Sequence, residues 1–126
     1  MQTTPDLFTK QTYINLETFR KSGDAVRTPV WFAQDGSTLY VWTDYTSGKA
    51  KRIRRNPSVK VAPSTANGTP LGEFVTATAA VYTPDSPVYQ LGNKLMDKKY
   101  GLQKKLFEVM GRMRKGSRCV IQITLA

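Results

Sequence analysis

Between Tyr13 and Arg20 the chain alternates, with Tyr13, Asn15, Glu17 and Phe19 on one side and Ile14, Leu16 and Thr18 on the other. That period of two predicts a half-buried strand. Lys21-Ser22-Gly23-Asp24 reads as its turn, and Val26 to Ala33 as a second strand interrupted by Pro29. A proline there marks an edge, a bulge, or backbone left open to a ligand. Gln34-Asp35-Gly36-Ser37 predicts a hairpin, and Thr38 to Thr43 returns as an aromatic, β-branched strand. Ser58 to Pro63, Glu73 to Tyr82 and Cys119 to Leu125 give three more strands.

Two stretches follow the helical period instead. Ser47 is a good N-cap for a short basic helix that ends at Asn56-Pro57. Ser86-Pro87 opens a second helix with a Val88, Leu91, Leu95 stripe, broken at Tyr100-Gly101. A third stripe, Leu102, Leu106, Val109, Met110 and Met113, carries Lys104, Lys105, Arg112 and Arg114 outside and completes a helical hairpin. Five strands around one basic helix, a helical hairpin and a closing strand predict a small antiparallel barrel, with a two-layer α+β sandwich as the alternative.

Composition narrows what such a barrel can do. At 126 residues the chain is a single domain, 1–126, with 1–12 expected as a flexible or dimer-swapped arm. It contains no histidine, which excludes serine–histidine hydrolysis and histidine-ligated zinc or haem within the chain. Nine acidic residues without paired spacing give no support to a two-carboxylate site or a metal cage. The lone Cys119 lies in an apolar strand and reads as a buried structural thiol. No apolar run is long enough to span a membrane, and the first residues lack a secretory pattern, so a cytoplasmic location is expected. Asn67-Gly68-Thr69 is a glycosylation sequon without meaning in that context. A net charge of +10 favours anionic partners.

Lys49, Lys51, Arg52, Arg54 and Arg55 place five cations in seven residues, directly after Ser47-Gly48. A helix start with free N–H groups, backed by such cations, suits a phosphate. It is not a P-loop, because Thr43 stands where glycine is needed and Ala50 where a hydroxyl is needed.

Arg27-Thr28-Pro29-Val30-Trp31-Phe32, then Trp42-Thr43-Asp44-Tyr45-Thr46-Ser47-Gly48-Lys49, then Asn56-Pro57, resemble the flavin- and deazaflavin-binding split-barrel family typified by pyridoxamine 5′-phosphate oxidase. Phe19 to Gly23, Arg52 to Pro57, Val61-Ala62-Pro63 and Lys99 to Gln103 are similar to its small deazaflavin-dependent branch. The resemblance implies a mainly β fold with α, a six-stranded antiparallel split β-barrel, homodimeric, with cofactor sites at the subunit interface. It further implies that Arg27, Thr28, Pro29 and Val30 line the ring, largely through backbone groups. Trp42 and Thr43 would flank the ring and ribityl chain, and Ser47, Gly48, Lys49 and Arg52 would hold the phosphate. Gly48 departs from the arginine that the oxidase carries, Phe32 from its lysine, and Ser64 to Gly68 from the branch's usual turn.

The function expected is an oxidoreductase using coenzyme F420 for hydride transfer to or from a small organic substrate. FMN binding on the same residues, or a non-catalytic carrier of the coenzyme, are the alternatives. No side chain stands out as catalytic, so the bound cofactor would supply the chemistry. Lys49 to Arg55 could also track nucleic-acid phosphates, a reading that leaves the proline-interrupted strand unexplained.

Overall fold

The chain's computed structural model describes residues 4–100 and 118–126. Seven strands form one antiparallel sheet: β1 (Tyr13–Phe19), β2 (Ala25–Trp31), β3 (Ala33–Asp35), β4 (Thr38–Asp44), β5 (Ser58–Ser64), β6 (Val75–Tyr82) and β7 (Arg118–Leu125). Among the described residues two α-helices accompany them, α1 (Gly48–Arg55) and α2 (Pro87–Tyr100). The strand order is β2-β1-β5-β6-β7-β4-β3. β2 and β3, at opposite ends of that order, are separated along the chain only by Phe32. One long strand thus pairs with β1 in its first half and β4 in its second, and closes the sheet into a barrel. The second strand expected from the sequence is this strand, extended to Asp35, and counting it once gives the expected six. The third helical stripe lies outside the described residues.

The alternation seen in the sequence decides which face is buried. Ile14, Leu16, Leu39, Val41, Val59, Val61, Ile121 and Ile123 fill the barrel, each almost fully excluded from solvent. Burying a side chain of this size contributes about 1.5–3 kcal/mol. Ile53 of α1 enters the same core from one end, and Phe8, on a 3-10 turn at Pro5–Phe8, enters from the other. Leu7, partly buried, packs against the same core.

α2 packs on the outer face of β3, β4 and β7 over a second cluster of Ala33, Tyr40, Trp42, Met96, Tyr100 and Val120. Its buried face is Gly92, Met96 and Tyr100, and Leu91 is 43% exposed. Of the expected Val88, Leu91, Leu95 stripe, Val88 and Leu95 pack against this cluster and Leu91 does not. The reason is close approach: a Cβ on Gly92 would lie 2.8 Å from Val120 and 2.9 Å from Tyr40. Glycine lets the helix settle on that line, which a search for large apolar residues passes over.

Phe32 has no ladder partner where the long strand changes neighbours. Its N–H donates to the Tyr100 hydroxyl at 3.3 Å, and its carbonyl accepts from that hydroxyl at 2.6 Å. Lys99 Nζ donates to the same carbonyl at 2.7 Å and to Gln11 O at 2.6 Å. Burial pushes the Tyr100 hydroxyl pKa up and the Lys99 ammonium down to about 8. Trp31 stacks on the Tyr100 ring, with centroids 5.8 Å apart.

Removing that hydroxyl strands a buried N–H, so Tyr100→Phe is expected to lower stability by about 1–3 kcal/mol. Urea denaturation of the two proteins tests it. An unchanged midpoint would mean that the strand break is held by other contacts.

Candidate functional site: a cationic corner at the barrel split

β3 pairs with β4 as far as Ala33 opposite Tyr40, and beyond that point β2 leaves β4 and follows β1. The barrel wall splits there, with residues 27–31 as one lip and residues 42–44 as the other. The hydrogen-bond phase of β2 decides what the first lip offers. Arg20 N–H bonds Asp24 O at 2.9 Å, closing the turn in which Gly23 takes a positive φ of 93°. Counting in twos from that pair, Val26, Thr28 and Val30 spend their backbone groups on β1. Arg27, Pro29 and Trp31 turn theirs to the open edge. Pro29 therefore sits where its missing N–H removes no ladder bond. It leaves a carbonyl facing the split, beside both backbone groups of Arg27.

Of the four residues expected to line a ring through their backbone, two, Arg27 and Pro29, have that backbone free. Thr28 and Val30 face inward opposite Leu16 and Ile14. The Arg27 side chain lies on the outer face, its Nε 2.9 Å from Glu17 Oε1 and its guanidinium 4.2 Å from the centre of the Phe74 ring. Beside it Asn15 donates to Gly68 O at 2.7 Å, which holds the 65–70 turn down on Pro29.

On the other lip Thr43 faces inward and Trp42 outward. Trp42 is buried under α2 in the second cluster, so its indole packs protein rather than facing the split. Its Nε1 is a buried donor without an acceptor among the described residues. Thr43 Oγ1 lies 3.2 Å from Ser47 Oγ, and Ser47 caps α1 by accepting from Ala50 N–H at 3.2 Å. Asp44 Oδ1 shapes the intervening turn by accepting from Thr46 N–H and Oγ1. With Ala50 satisfied, the N–H groups of Gly48 and Lys49 are first-turn donors without a helical partner.

The five cations after Ser47 divide by role. Arg54 lies 3.8 Å over the Tyr45 ring and bonds Tyr45 O, and Arg55 bonds Phe19 O. Lys51 is exposed. Lys49 and Arg52 belong to the corner. Arg52 Nε donates to Thr18 Oγ1 of β1 at 2.6 Å, so the side chain crosses the wide end of the split. Its Nη1 lies 2.6 Å from where a Cβ on Gly48 would sit, over the helix start. Burial, then the guanidinium groups of Arg20 and Arg55, lower the Arg52 pKa. Burial, then Arg52, lower that of Lys49, while Cys119 and Asp44 act the other way. Partly desolvated cations crowded together are a standing demand for an anion.

The structure thus brings Thr43, Ser47, Gly48, Lys49 and Arg52 to one corner and sets Arg27 and Pro29 on the facing lip. Thr18 and Arg20 were not singled out from the sequence. A threonine in an alternating strand carries no mark of the arginine that will reach it from another element. No group of metal-ligating side chains occurs among the described residues. None of their helices is long and apolar enough to cross a membrane.

Comparison with known proteins agrees with this fold. Residues 2–126 match the pyridoxamine 5′-phosphate oxidase family, and the chain belongs to it. No curated protein matches. Among solved structures, the heme storage protein HutZ of Vibrio cholerae superimposes with a TM-score of 0.73 at 13% identity, covering 100% of this chain and 92% of that one. An F420 reductase gives 0.63 at 20% identity, covering 100% and 95%. An FMN-binding, pyridoxamine 5′-phosphate oxidase-related protein of Nostoc punctiforme gives 0.62 at 14% identity, covering 90% and 70%. These likenesses establish the split-barrel fold.

Cys119 shares the inward face with Thr43, and burial pushes its thiol up to about 11. Its thiolate is therefore scarce at pH 8, and the folded protein should resist iodoacetamide at that pH while the guanidinium-unfolded chain reacts. Rapid alkylation of the native protein would show a reactive thiol at the corner.

Proposed function

We propose that the chain is an oxidoreductase that binds coenzyme F420 across the split and acts on a small organic substrate. The observation that carries the reading is the meeting, at one helix start, of two first-turn N–H groups, the Ser47 and Thr43 hydroxyls, Lys49 and Arg52. That set suits a phosphate monoester or diester: short donors for its oxygens and two cations for its charge. The facing edge of β2 offers what a pyrimidine-like ring edge needs, an N–H at Arg27 and carbonyls at Arg27 and Pro29. When bound, the deazaflavin ring supplies the hydride chemistry. The chain's own work is to hold the handle at α1, align the ring edge along β2, and keep water from the narrow end, where Trp31 stacks on Tyr100 and Trp42 packs beneath α2. FMN presents the same handle and a similar ring edge, so it is the alternative ligand, and storage without turnover is the alternative role. In this reading two copies associate, as the family resemblance implies, and enclose the exposed side of the split.

Fluorescence titration of the purified protein with F420 and with FMN tests the ligand, and tighter binding of F420 is expected. Binding of FMN alone would transfer the assignment to FMN. Oxidation of reduced F420 by a panel of enones, measured against a protein-free control, distinguishes enzyme from carrier. Lys49→Ala is expected to weaken cofactor binding by about 1.5–3 kcal/mol, as for a charge-assisted contact. Unchanged affinity would place the phosphate elsewhere.

Lys49 also sets a pH dependence. Its lowered pKa means that the free protein loses this proton below the ordinary lysine range, whereas a bound phosphate favours the protonated form. Affinity should therefore fall as pH rises, beginning below the range of an unperturbed lysine, and Lys49→Ala should flatten that slope. Equal slopes in the two proteins would remove Lys49 from the contact.

A further inference from the structure

The end of the barrel opposite α1 carries a second feature, unrelated to the phosphate corner. The 3-10 turn at Pro5–Phe8, the β3–β4 hairpin and the end of α2 border an open groove of about 400 Å³. That volume lies within the range of small-molecule sites. Pro5 gives it apolar surface, Thr9, Lys10, Gln34 and Lys99 give it polar groups, and Phe8 lies beneath with its ring buried in the core. Two features of this wall go beyond plugging a barrel end. Lys10 has a φ of 69°, the one non-glycine residue with positive φ among those described. Backbone held in that conformation against steric preference is characteristic of ligand sites. Lys99 donates to the carbonyls of Gln11 and Phe32, which spends two of its three N–H donors and fixes its amine at the groove. At pH 7 it is still mostly protonated. The two lysines outnumber the single carboxylate of the lining, Asp6.

We infer that this groove is a second binding site, for a small organic carboxylate whose apolar body lies on Pro5 and whose carboxylate is held between Lys10 and Lys99. The site does not depend on the cofactor assignment, because it stands at the other end of the barrel. Its occupant would bear on the strand break at Phe32 through Lys99, the residue common to both.

Amide chemical-shift titration of the intact protein at pH 7 tests the inference, with phenylpyruvate as the carboxylate and inorganic phosphate as the contrasting anion. Phenylpyruvate is expected to give saturable shifts at Thr9, Lys10, Gln34 and Gly36, and phosphate at Ser47 to Lys51. Lys99→Met should weaken phenylpyruvate binding about tenfold, as loss of a charge-assisted bond does. Because Lys99 also braces Phe32, Lys10→Gly is the decisive variant. Glycine relieves the positive φ, so the protein should melt higher and yet bind phenylpyruvate more weakly. Phenylpyruvate shifts confined to Ser47 to Lys51, the absence of saturable shifts, or undiminished affinity in Lys10→Gly would each overturn the site.

Discussion

A β-strand that exchanges one neighbour for another must leave a residue between the two ladders, and that residue's backbone still needs hydrogen bonds. Here the residue is Phe32, and the architecture depends on how its peptide groups are satisfied. The Tyr100 hydroxyl serves both N–H and carbonyl, and Lys99 adds a charged donor to the carbonyl. With that brace the long strand can run along β1 and then along β4, closing the barrel. Without it, continuing either ladder would cover the opening between residues 27–31 and 42–44. The split is thus a consequence of where α2 ends. Met96 and Tyr100 sit one turn apart on its buried face, and the line is set by the missing Cβ of Gly92.

Strand phase then converts the split into a surface with chemistry. In an antiparallel ladder alternate residues turn their backbone groups outward. A proline at Thr28 or Val30 would have broken a bond to β1, whereas at position 29 it breaks none. The same phase puts Arg27 on the outer face, where Glu17 and Phe74 take its side chain and only its backbone stays at the opening. The groups that this lip presents at the opening are therefore few and mostly main chain.

Much of this was legible beforehand, and what was not has identifiable causes. Alternation along Tyr13 to Arg20 and Thr38 to Thr43 predicts both strands and their buried faces, because a period of two survives any tertiary context. Ser47 as a cap and the cations after it mark the cationic corner, because capping and charge are local properties. The face of α2 was misread at Leu91, since glycine packing leaves no hydrophobic signal. Phe8 went unassigned for a related reason: one aromatic has no period. Trp42 was expected beside a ring, and period-two alternation does place it outward, but whether a helix covers that face depends on α2. The contribution of Thr18 to the corner is a contact between residues 34 apart in sequence.

The departures from the family resemblance at the corner also find a physical account. Where the oxidase carries an arginine the chain has Gly48, and the space above that glycine is taken by the guanidinium of Arg52, one turn later on the same helix. An arginine at 48 and one at 52 would compete for the same volume with like charges in a partly desolvated setting, where repulsion is strong. Glycine at the first position and arginine at the fifth keep one guanidinium over the helix start and let its Nε reach Thr18 on β1. That tether fixes the cation relative to the far lip of the split, which a side chain rooted at the first turn would need a different strand contact to achieve. Arg20 and Arg55, which lower the Arg52 pKa, keep the field at this corner positive. In a chain of net charge +10, the cations of α1 are therefore not an even coating: two brace the helix against Tyr45 and Phe19, and two are left for an anion.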